Sequence, residues 1–354
     1  MCLDIIKKLK IFFLFMMMFV DVVAQTQLSD VFTNPVGNGA DPWVVKYDGY
    51  YYVCKASGGG IRVAKSSSLI KIGKMEPVWQ PAKNRWNSTA IWAPELHRIG
   101  KKWYIYYAAG SSGSPYINQR SGVLESVTDD PQGAYVEKAV LKTGNDPNDA
   151  LKTIWAIDVT VTTINGQLYA VWSGWEKNNV TDKTPQHLYM AKMSNPWTID
   201  GERVKISSPN QPWETGGTLD INEGPQFLEK NGNVFLVYST RESWLPSYCL
   251  GLLRMKNTGV SPLKPANWIK TGPVFTGTAK VFGVGHASFT TSPDGTEDWI
   301  FYHAKKSNKP GWERDMRLQQ FTWDKHGNPV FGVPIPPSVP IKKPSGEKIA
   351  GDEQ

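Results

Sequence analysis

The sequence contains little cysteine. Its 354 residues include three, of which Cys2 lies at the extreme N-terminus and Cys54 and Cys249 lie within apolar, strand-like segments. Two cysteines cannot build a disulfide framework, and the three show no metal-binding spacing. We therefore expect Cys54 and Cys249 to be buried free thiols, with a single bridge between them as the alternative.

Runs of one charge are also scarce. The formal net charge is +7, but Lys and Arg are spread along the chain without a basic cluster. Nucleic-acid-binding proteins usually concentrate such residues, so the pattern argues against a nucleic-acid partner and favours a solvated basic surface. A polyanionic substrate is compatible with this charge but is not required by it.

Long apolar runs are confined to the N-terminus. Residues 1–24 combine a positively charged start, an apolar run from Ile11 to Val20 and small residues ending at Ala24. This pattern is typical of a secretory signal peptide. The run is too short to span a bilayer, and an uncleaved anchor is the alternative. We expect a mature chain that starts at Gln25, is secreted or periplasmic, and has no membrane association.

Helix-period stretches with caps are absent, whereas aromatic residues are abundant, with 15 Trp, 14 Tyr and 13 Phe. They recur in five similar units. Each unit opens with an acidic or histidine residue, termed a marker, then passes through a Gly-containing turn into an aromatic strand. Asp-Gly and Asn-Gly between apolar runs are strong hairpin signals. The markers are Asp41, Glu95, Asp158, Glu223 and His286, separated by 54, 63, 65 and 63 residues.

A repeat of this length with several strands per unit predicts an all-β fold, the five-bladed β-propeller. The propeller should cover residues 25–340, followed by a polar tail over 341–354 in which Ser345 to Gln354 are expected to be disordered. A β-sandwich or barrel is the alternative, but it does not explain the spacing. In a propeller the innermost strands begin at one mouth of a central channel. The five markers are therefore predicted to be neighbours in space.

Three acids at one mouth suggest glycosidic bond cleavage. The reaction needs one acid to protonate the leaving oxygen and a second group to act at the anomeric carbon. Asp158 lies in an apolar strand, where an unpaired carboxylate is costly. Asp41 and Glu223 could instead be turn residues, and His286 a core histidine. Glu95 could serve a structural role or a sugar subsite.

At these residues the sequence resembles glycoside hydrolase family 43, whose members are five-bladed propeller enzymes acting on arabinan and xylan. The resemblance runs from about Phe32 to about Pro334. Any one of the motifs is weak, but the ordered set at this spacing is specific. The matching segments are Asn34–Trp43, Ile91–Glu95, Ile157–Asp158, Asn222–Pro225, Gly285–His286 and Arg317–Asp324.

The resemblance implies a role for each acid. Asp41 would be the general base that activates water, and Glu223 the general acid. Asp158 would raise the pKa of Glu223 and hold it in place. His286 would orient the site through water or a bound cation, often calcium, although the chemistry requires no cofactor. Inverting enzymes leave room for water, which implies carboxyl groups about 6.5–9.5 Å apart.

The resemblance also implies a plant polysaccharide or oligosaccharide substrate. The motif variants look most like those of exo-acting α-L-arabinofuranosidases that remove side groups from arabinan or arabinoxylan. β-D-Xylosidase and endo-1,5-α-L-arabinanase activity are the alternatives, as is a catalytically inactive, sugar-binding propeller. The expected substrate-binding residues are Trp43, Trp92, Glu95, His286 and Arg317, with Trp175 as a further ring platform; core packing or a blade ion pair is the alternative for the tryptophans and the arginine.

Overall fold

The computed structural model describes residues 30–347, and these form strands joined by turns and loops. Among them there is one 3-10 helix, Pro265–Asn267, and no helix long and apolar enough to cross a membrane. The strands are β1 (Val31–Phe32), β2 (Gly37–Asn38), β3 (Trp43–Tyr47), β4 (Tyr50–Ser57), β5 (Gly60–Ser66), β6 (Met75–Trp79), β7 (Thr89–Ile99), β8 (Lys102–Gly110), β9 (Arg120–Ser126), β10 (Tyr135–Val140), β11 (Ala156–Ile164), β12 (Gln167–Gly174), β13 (His187–Asn195), β14 (Thr198–Ser207), β15 (Asn222–Lys230), β16 (Asn233–Thr240), β17 (Cys249–Met255), β18 (Trp268–Thr276), β19 (Phe282–Thr291), β20 (Asp298–Lys305), β21 (Arg314–Trp323), β22 (Pro329–Val330) and β23 (Ile341–Lys342).

Apart from β1 and β23, the strands form five antiparallel sheets, one for each predicted unit. Blade one is β3–β6, blade two β7–β10, blade three β11–β14, blade four β15–β18 and blade five β19–β21 with β2. The first strand of each blade contacts the first strand of the next, and β19 of blade five contacts β3 of blade one. The inner strands thus form a closed ring, which confirms the five-bladed propeller.

Short turns join the first two strands of most blades. Asp48-Gly49, Asn165-Gly166 and Asn231-Gly232 all have positive φ at both positions, as two-residue hairpin turns that match the strand twist require. Tyr47 pairs with Tyr50 across the first of these turns. Blade five differs because Thr291 pairs with Asp298, so a longer loop joins its first two strands.

Apolar side chains fill the space between neighbouring blades. Five clusters of buried residues lie between blades one and two, two and three, three and four, four and five, and five and one. Cys54 and Cys249 are both buried and free, which confirms the expectation from their apolar surroundings. Because both faces of each sheet are covered, the strands are apolar over most of their length.

The N-terminal part of the described chain completes the last blade. β2 pairs with β21, and β1 pairs with β23 in a separate two-stranded sheet. Ile341–Lys342 lie in the predicted polar tail and are paired as β23, whereas disorder was expected from Ser345 onward. Ser345 also donates its backbone N–H to Glu297 at 2.9 Å, so the ordered part extends beyond residue 340. The predicted signal peptide at 1–24, residues 25–29 and residues 348–354 lie outside the described residues.

Candidate active site

The same unusual backbone conformation recurs where each inner strand begins. Asp41, Ala93, Asp158, Gly224 and His286 have φ between 42° and 56°, the left-handed region. In blades two to five this residue sits in a β-bulge, where the register against the second strand shifts. The conformation costs about 1–2 kcal/mol for a non-glycine residue. Strain of this kind clusters at functional sites, and here it re-aims side chains into the channel mouth.

Asp41 is held by positively polarised groups. Its Oδ1 lies 3.3 Å from His286 Nδ1 and 3.8 Å from Arg314 Nη1, and its backbone N–H donates to His303 Nδ1 at 3.1 Å. Burial works to raise the pKa of Asp41, but the side chains of His286, His303 and Arg314 outweigh it and hold that pKa well below its usual range. Asp41 is therefore an ionised carboxylate, able to accept a proton.

Glu223 has the opposite character. Its side chain is buried, and its Oε1 accepts a hydrogen bond from Tyr248 Oη at 2.9 Å. Burial raises the pKa of Glu223, the Tyr248 bond lowers it, and the negative charge of Asp41 raises it again, so that the net direction is upward. Glu223 therefore keeps its proton at a higher pH than an ordinary glutamate, as a general acid must.

Asp158 interacts electrostatically with both Asp41 and Glu223. Its Oδ2 accepts the backbone N–H of Gly224, the residue after Glu223, at 2.9 Å. Burial raises the pKa of Asp158, His286 lowers it, and Glu223 and Asp41 raise it further. The hydrogen bond ties blade three to the backbone that carries Glu223. The upward shift of the Glu223 pKa, in contrast, comes first from burial and then from Asp41.

Glu95 lies deeper in the channel than the other markers. It follows the strained residue Ala93 by two positions and so lies further along the inner strand β7. It is 1% exposed, accepts a hydrogen bond from Gln226, and lies 2.9 Å from His97 Nε2. Burial raises the pKa of Glu95 to about 8 and lowers that of His97 to about 3. Glu95 and His97 thus form a buried pair inside the propeller in which both side chains are neutral near pH 7.

The tryptophans expected to contact sugar are largely packed against protein. Trp43 donates its indole N–H to Leu96 O at 2.8 Å, which joins blade one to blade two. Trp175 is fully buried and stacks on Trp155 with ring centroids 4.4 Å apart, so it is a core residue and not a sugar platform. Trp92 is half-buried against Tyr116. Of the three candidates, Trp43 and Trp92 are both partly exposed, and only Trp175 is fully buried.

Three residues at the site were not predicted from the sequence: Arg314, His303 and Tyr248. Arg317 is buried and paired with Asp315 at 2.6 Å, the blade ion pair that was its alternative interpretation. The arginine that reaches Asp41 is Arg314, three residues earlier on β21 and so on the other side of the strand. His303 and Tyr248 are the other two. His303 is a polar residue near the end of the apolar strand β20, opposite Gly285, and this break in the pattern could have identified it.

The described residues supply few ligands for a metal ion. Between residues 30 and 347 no group of three or more His, Cys, Asp or Glu side chains is arranged to hold one. Calcium takes six to eight oxygen ligands. An ion beside His286 would therefore draw most of its ligands from water, and the calcium site stays a prediction.

Comparisons with known proteins agree with this geometry. The family model described as glycosyl hydrolases family 43 matches residues 32–329. An extracellular exo-α-(1→5)-L-arabinofuranosidase from Streptomyces avermitilis is 34% identical, over 88% of this chain and 65% of its own length. Alpha-L-arabinofuranosidase 43 from Humicola insolens is also 34% identical, over 84% of this chain and 62% of its own. The chain thus spans somewhat less than two thirds of the length of these curated relatives.

The fold comparison gives the same family. The crystal structure of an α-L-arabinofuranosidase from Lactobacillus brevis matches with a TM-score of 0.78 and 30% sequence identity. The match covers 87% of this chain and 98% of that one, so the propeller is shared almost in full. The ring of strained residues, the three acids at its mouth and the matched sequence over nearly the whole propeller lead to one assignment: the chain belongs to glycosyl hydrolases family 43.

Proposed function

We propose that this protein is an exo-acting α-L-arabinofuranosidase that cleaves by inversion. The observation that carries the proposal is the pair of opposed carboxyl groups, with the Asp41 pKa held low and the Glu223 pKa raised, at one channel mouth. Two acids whose pKa values are pushed apart can act as base and acid at the same pH. The names of the relatives favour an arabinofuranosyl substrate over a xylosyl one.

In this mechanism Glu223 donates its proton to the glycosidic oxygen as the bond to the anomeric carbon breaks. A water molecule on the opposite face of the sugar attacks that carbon, and Asp41 takes a proton from it. Asp158 positions Glu223 through its bond to Gly224. The product is the free sugar with inverted configuration. An inverting geometry requires the two working carboxyls to lie about 6.5–9.5 Å apart.

We further propose that the protein is exported and acts on arabinan or arabinoxylan outside the cytoplasm. The signal-like residues 1–24 support export, as does the word extracellular in the name of the Streptomyces avermitilis relative. Because such polymers are too large to enter a cell, an enzyme that shortens them must meet them outside.

Two variants test the division of roles. Glu223→Gln and Asp41→Asn should each lower kcat/KM on arabino-oligosaccharides by about 10²–10⁴-fold. On nitrophenyl α-L-arabinofuranoside the Glu223→Gln loss should shrink, because nitrophenolate leaves without protonation, while the Asp41→Asn loss should persist. Proton NMR of the first-formed product should show the inverted anomer.

Glu229→Gln is the matched control, since Glu229 lies on the same strand β15 but is exposed at its far end. It should leave activity unchanged. Full activity in both site variants, or a product of retained configuration, would contradict the mechanism. Binding of arabino-oligosaccharides by the wild type without any hydrolysis would identify a sugar-binding propeller instead.

A further inference from the structure

The most exposed aromatic side chain in the described part of the chain lies next to this site. Trp312 is 61% exposed, compared with 38% for Tyr50 and 36% for Tyr47. It belongs to the loop of residues 306–313 between β20 and β21. β20 runs back toward the mouth at which β19 begins, so this loop stands at the channel mouth and not at the far end of the propeller.

The side chain of Arg314 lies between Trp312 and Asp41, the proposed base. The guanidinium carbon of Arg314 lies 5.5 Å from the centroid of the Trp312 ring. The same guanidinium places Nη1 3.8 Å from Asp41 Oδ1. Arg314 also lowers the pKa of Glu223, after burial, Tyr248 and Asp41 in size, so it is near the acid as well. The Trp312 ring is thus one side chain away from the reacting groups.

A second indole stands beside the first. The Trp244 ring lies 5.0 Å from the Trp312 ring, centroid to centroid, at an interplanar angle of 47°. Trp244 is in the loop of residues 241–248, which ends at Tyr248, the hydrogen-bond donor to Glu223. The Trp244–Trp312 pair therefore spans blades four and five, on the side of the mouth where the proposed general acid lies.

Hydrogen bonds fix the backbone of the loop that carries Trp312. Gly311 donates its backbone N–H to Trp244 O at 2.9 Å, which joins the two loops. The ammonium of Lys305 donates to Gly311 O, and Lys305 itself is only 2% exposed. A buried charge needs such a partner, so the loop position is strongly determined. A rigid, exposed ring loses little conformational entropy when a ligand covers it.

We propose that the Trp244–Trp312 pair binds the sugar ring on the leaving side of the scissile bond, the next pentose of a saccharide chain. The proposal rests on the proposed function and adds a site to it. The leaving oxygen must meet Glu223, so the sugar attached to that oxygen lies over blades four and five. The C–H face of a pentose is apolar and can cover an indole that water now contacts.

The test compares two substrates that differ only in the leaving group. Arabinotriose places a pentose on the pair, whereas methyl α-L-arabinofuranoside places a methyl group there. Trp312→Ala should lower kcat/KM for arabinotriose about tenfold, mainly through KM, and change that for the methyl glycoside less than twofold. A tenfold loss corresponds to about 1.4 kcal/mol, within the range of one aromatic contact. Trp312→Phe should recover part of the loss.

Tyr50→Ala is the matched control, because Tyr50 is an exposed aromatic residue on the hairpin at the opposite end of blade one. It should alter neither substrate. Equal losses on both substrates for Trp312→Ala would show that the ring merely supports Arg314 and would overturn the inference, as would no loss on either. If the proposed function itself is wrong, the wild type will cleave neither arabinofuranoside, and that result is distinct from either outcome for Trp312→Ala.

Discussion

The hydrogen bond from Tyr248 to Glu223 can be removed with almost no change of shape. Tyr248 is fully buried, and its ring stacks on His303 at 5.5 Å. A Cβ at Gly285 would come within 2.2 Å of the Tyr248 ring, so the ring is confined from that side too. Phenylalanine at position 248 should therefore occupy the same space. What Tyr248→Phe removes is the hydroxyl that donates to Glu223 Oε1 at 2.9 Å.

The expected effect is on the alkaline limb of the pH profile. The Tyr248 hydroxyl stabilises the ionised form of Glu223 and so lowers its pKa; without it the pKa rises further. A hydrogen bond to a charged group contributes about 1.5–3 kcal/mol, and 1.36 kcal/mol corresponds to one pH unit. The alkaline limb of kcat/KM should move upward by about one to two pH units. The acid limb, which reflects Asp41, should not move.

The assay is kcat/KM for an arabino-oligosaccharide across pH, with the free energy of unfolding measured in parallel. Tyr135→Phe is the matched control, since Tyr135 is also buried but donates to the backbone carbonyl of Pro131 at 3.1 Å. That variant should leave both limbs in place. An alkaline limb that stays put or moves downward in Tyr248→Phe would refute the assignment of Glu223 as the group that must be protonated.

Two further predictions concern the backbone and the thiols. Gly224→Ala should lower the free energy of unfolding by about 1–3 kcal/mol, because φ is 52° and the new Cβ would lie 3.1 Å from His286 Nδ1. Gly232 has φ 77° and no atom within 4 Å of an added Cβ, so Gly232→Ala should lower the free energy of unfolding only by the cost of the backbone conformation, about 1 kcal/mol. Denaturant titration of both variants measures the difference. Equal losses would argue against a tight contact at Gly224. Burial raises the thiol pKa of both Cys54 and Cys249, that of Cys249 to about 12, so neither should react with iodoacetamide at pH 8 until the protein unfolds. Peptide mapping that finds either one labelled in the folded protein would contradict this.

The repeat predicted the fold because turn chemistry and strand pattern are local. The Asn-Gly and Asp-Gly turns adopt the backbone geometry that their residue types favour. The prediction of which residue in each unit occupies the equivalent position was less accurate. Asp41, Asp158 and His286 do occupy equivalent strained positions, but Ala93 and Gly224 occupy the other two. The repeat indicates where each inner strand begins but not which residue there takes the left-handed conformation, so the offsets at Glu95 and Glu223 could not be read from spacing.

The partners of the acids were harder to predict than the acids themselves. Arg314 and Arg317 lie on the same strand, three residues apart, and therefore on opposite sides of it. Choosing between them requires knowing which side of β21 faces the mouth, and that depends on the neighbouring blades. Tyr248 and Trp312 reach the site from loops, whose paths no periodicity specifies.

The pairing of β2 with β21 sets an order of events for folding. Gly37 pairs with Met316, a partner almost 280 positions later in the chain. As the polypeptide is synthesised, blades one to four can each complete their hairpins from adjacent segments, while β2 waits for the final blade. Contacts between such distant segments form slowly because a long loop must be closed first. Closure of the ring should therefore be a late step. Asp41, the proposed base, lies only three positions after β2 and should be placed against His303 and Arg314 in that same step.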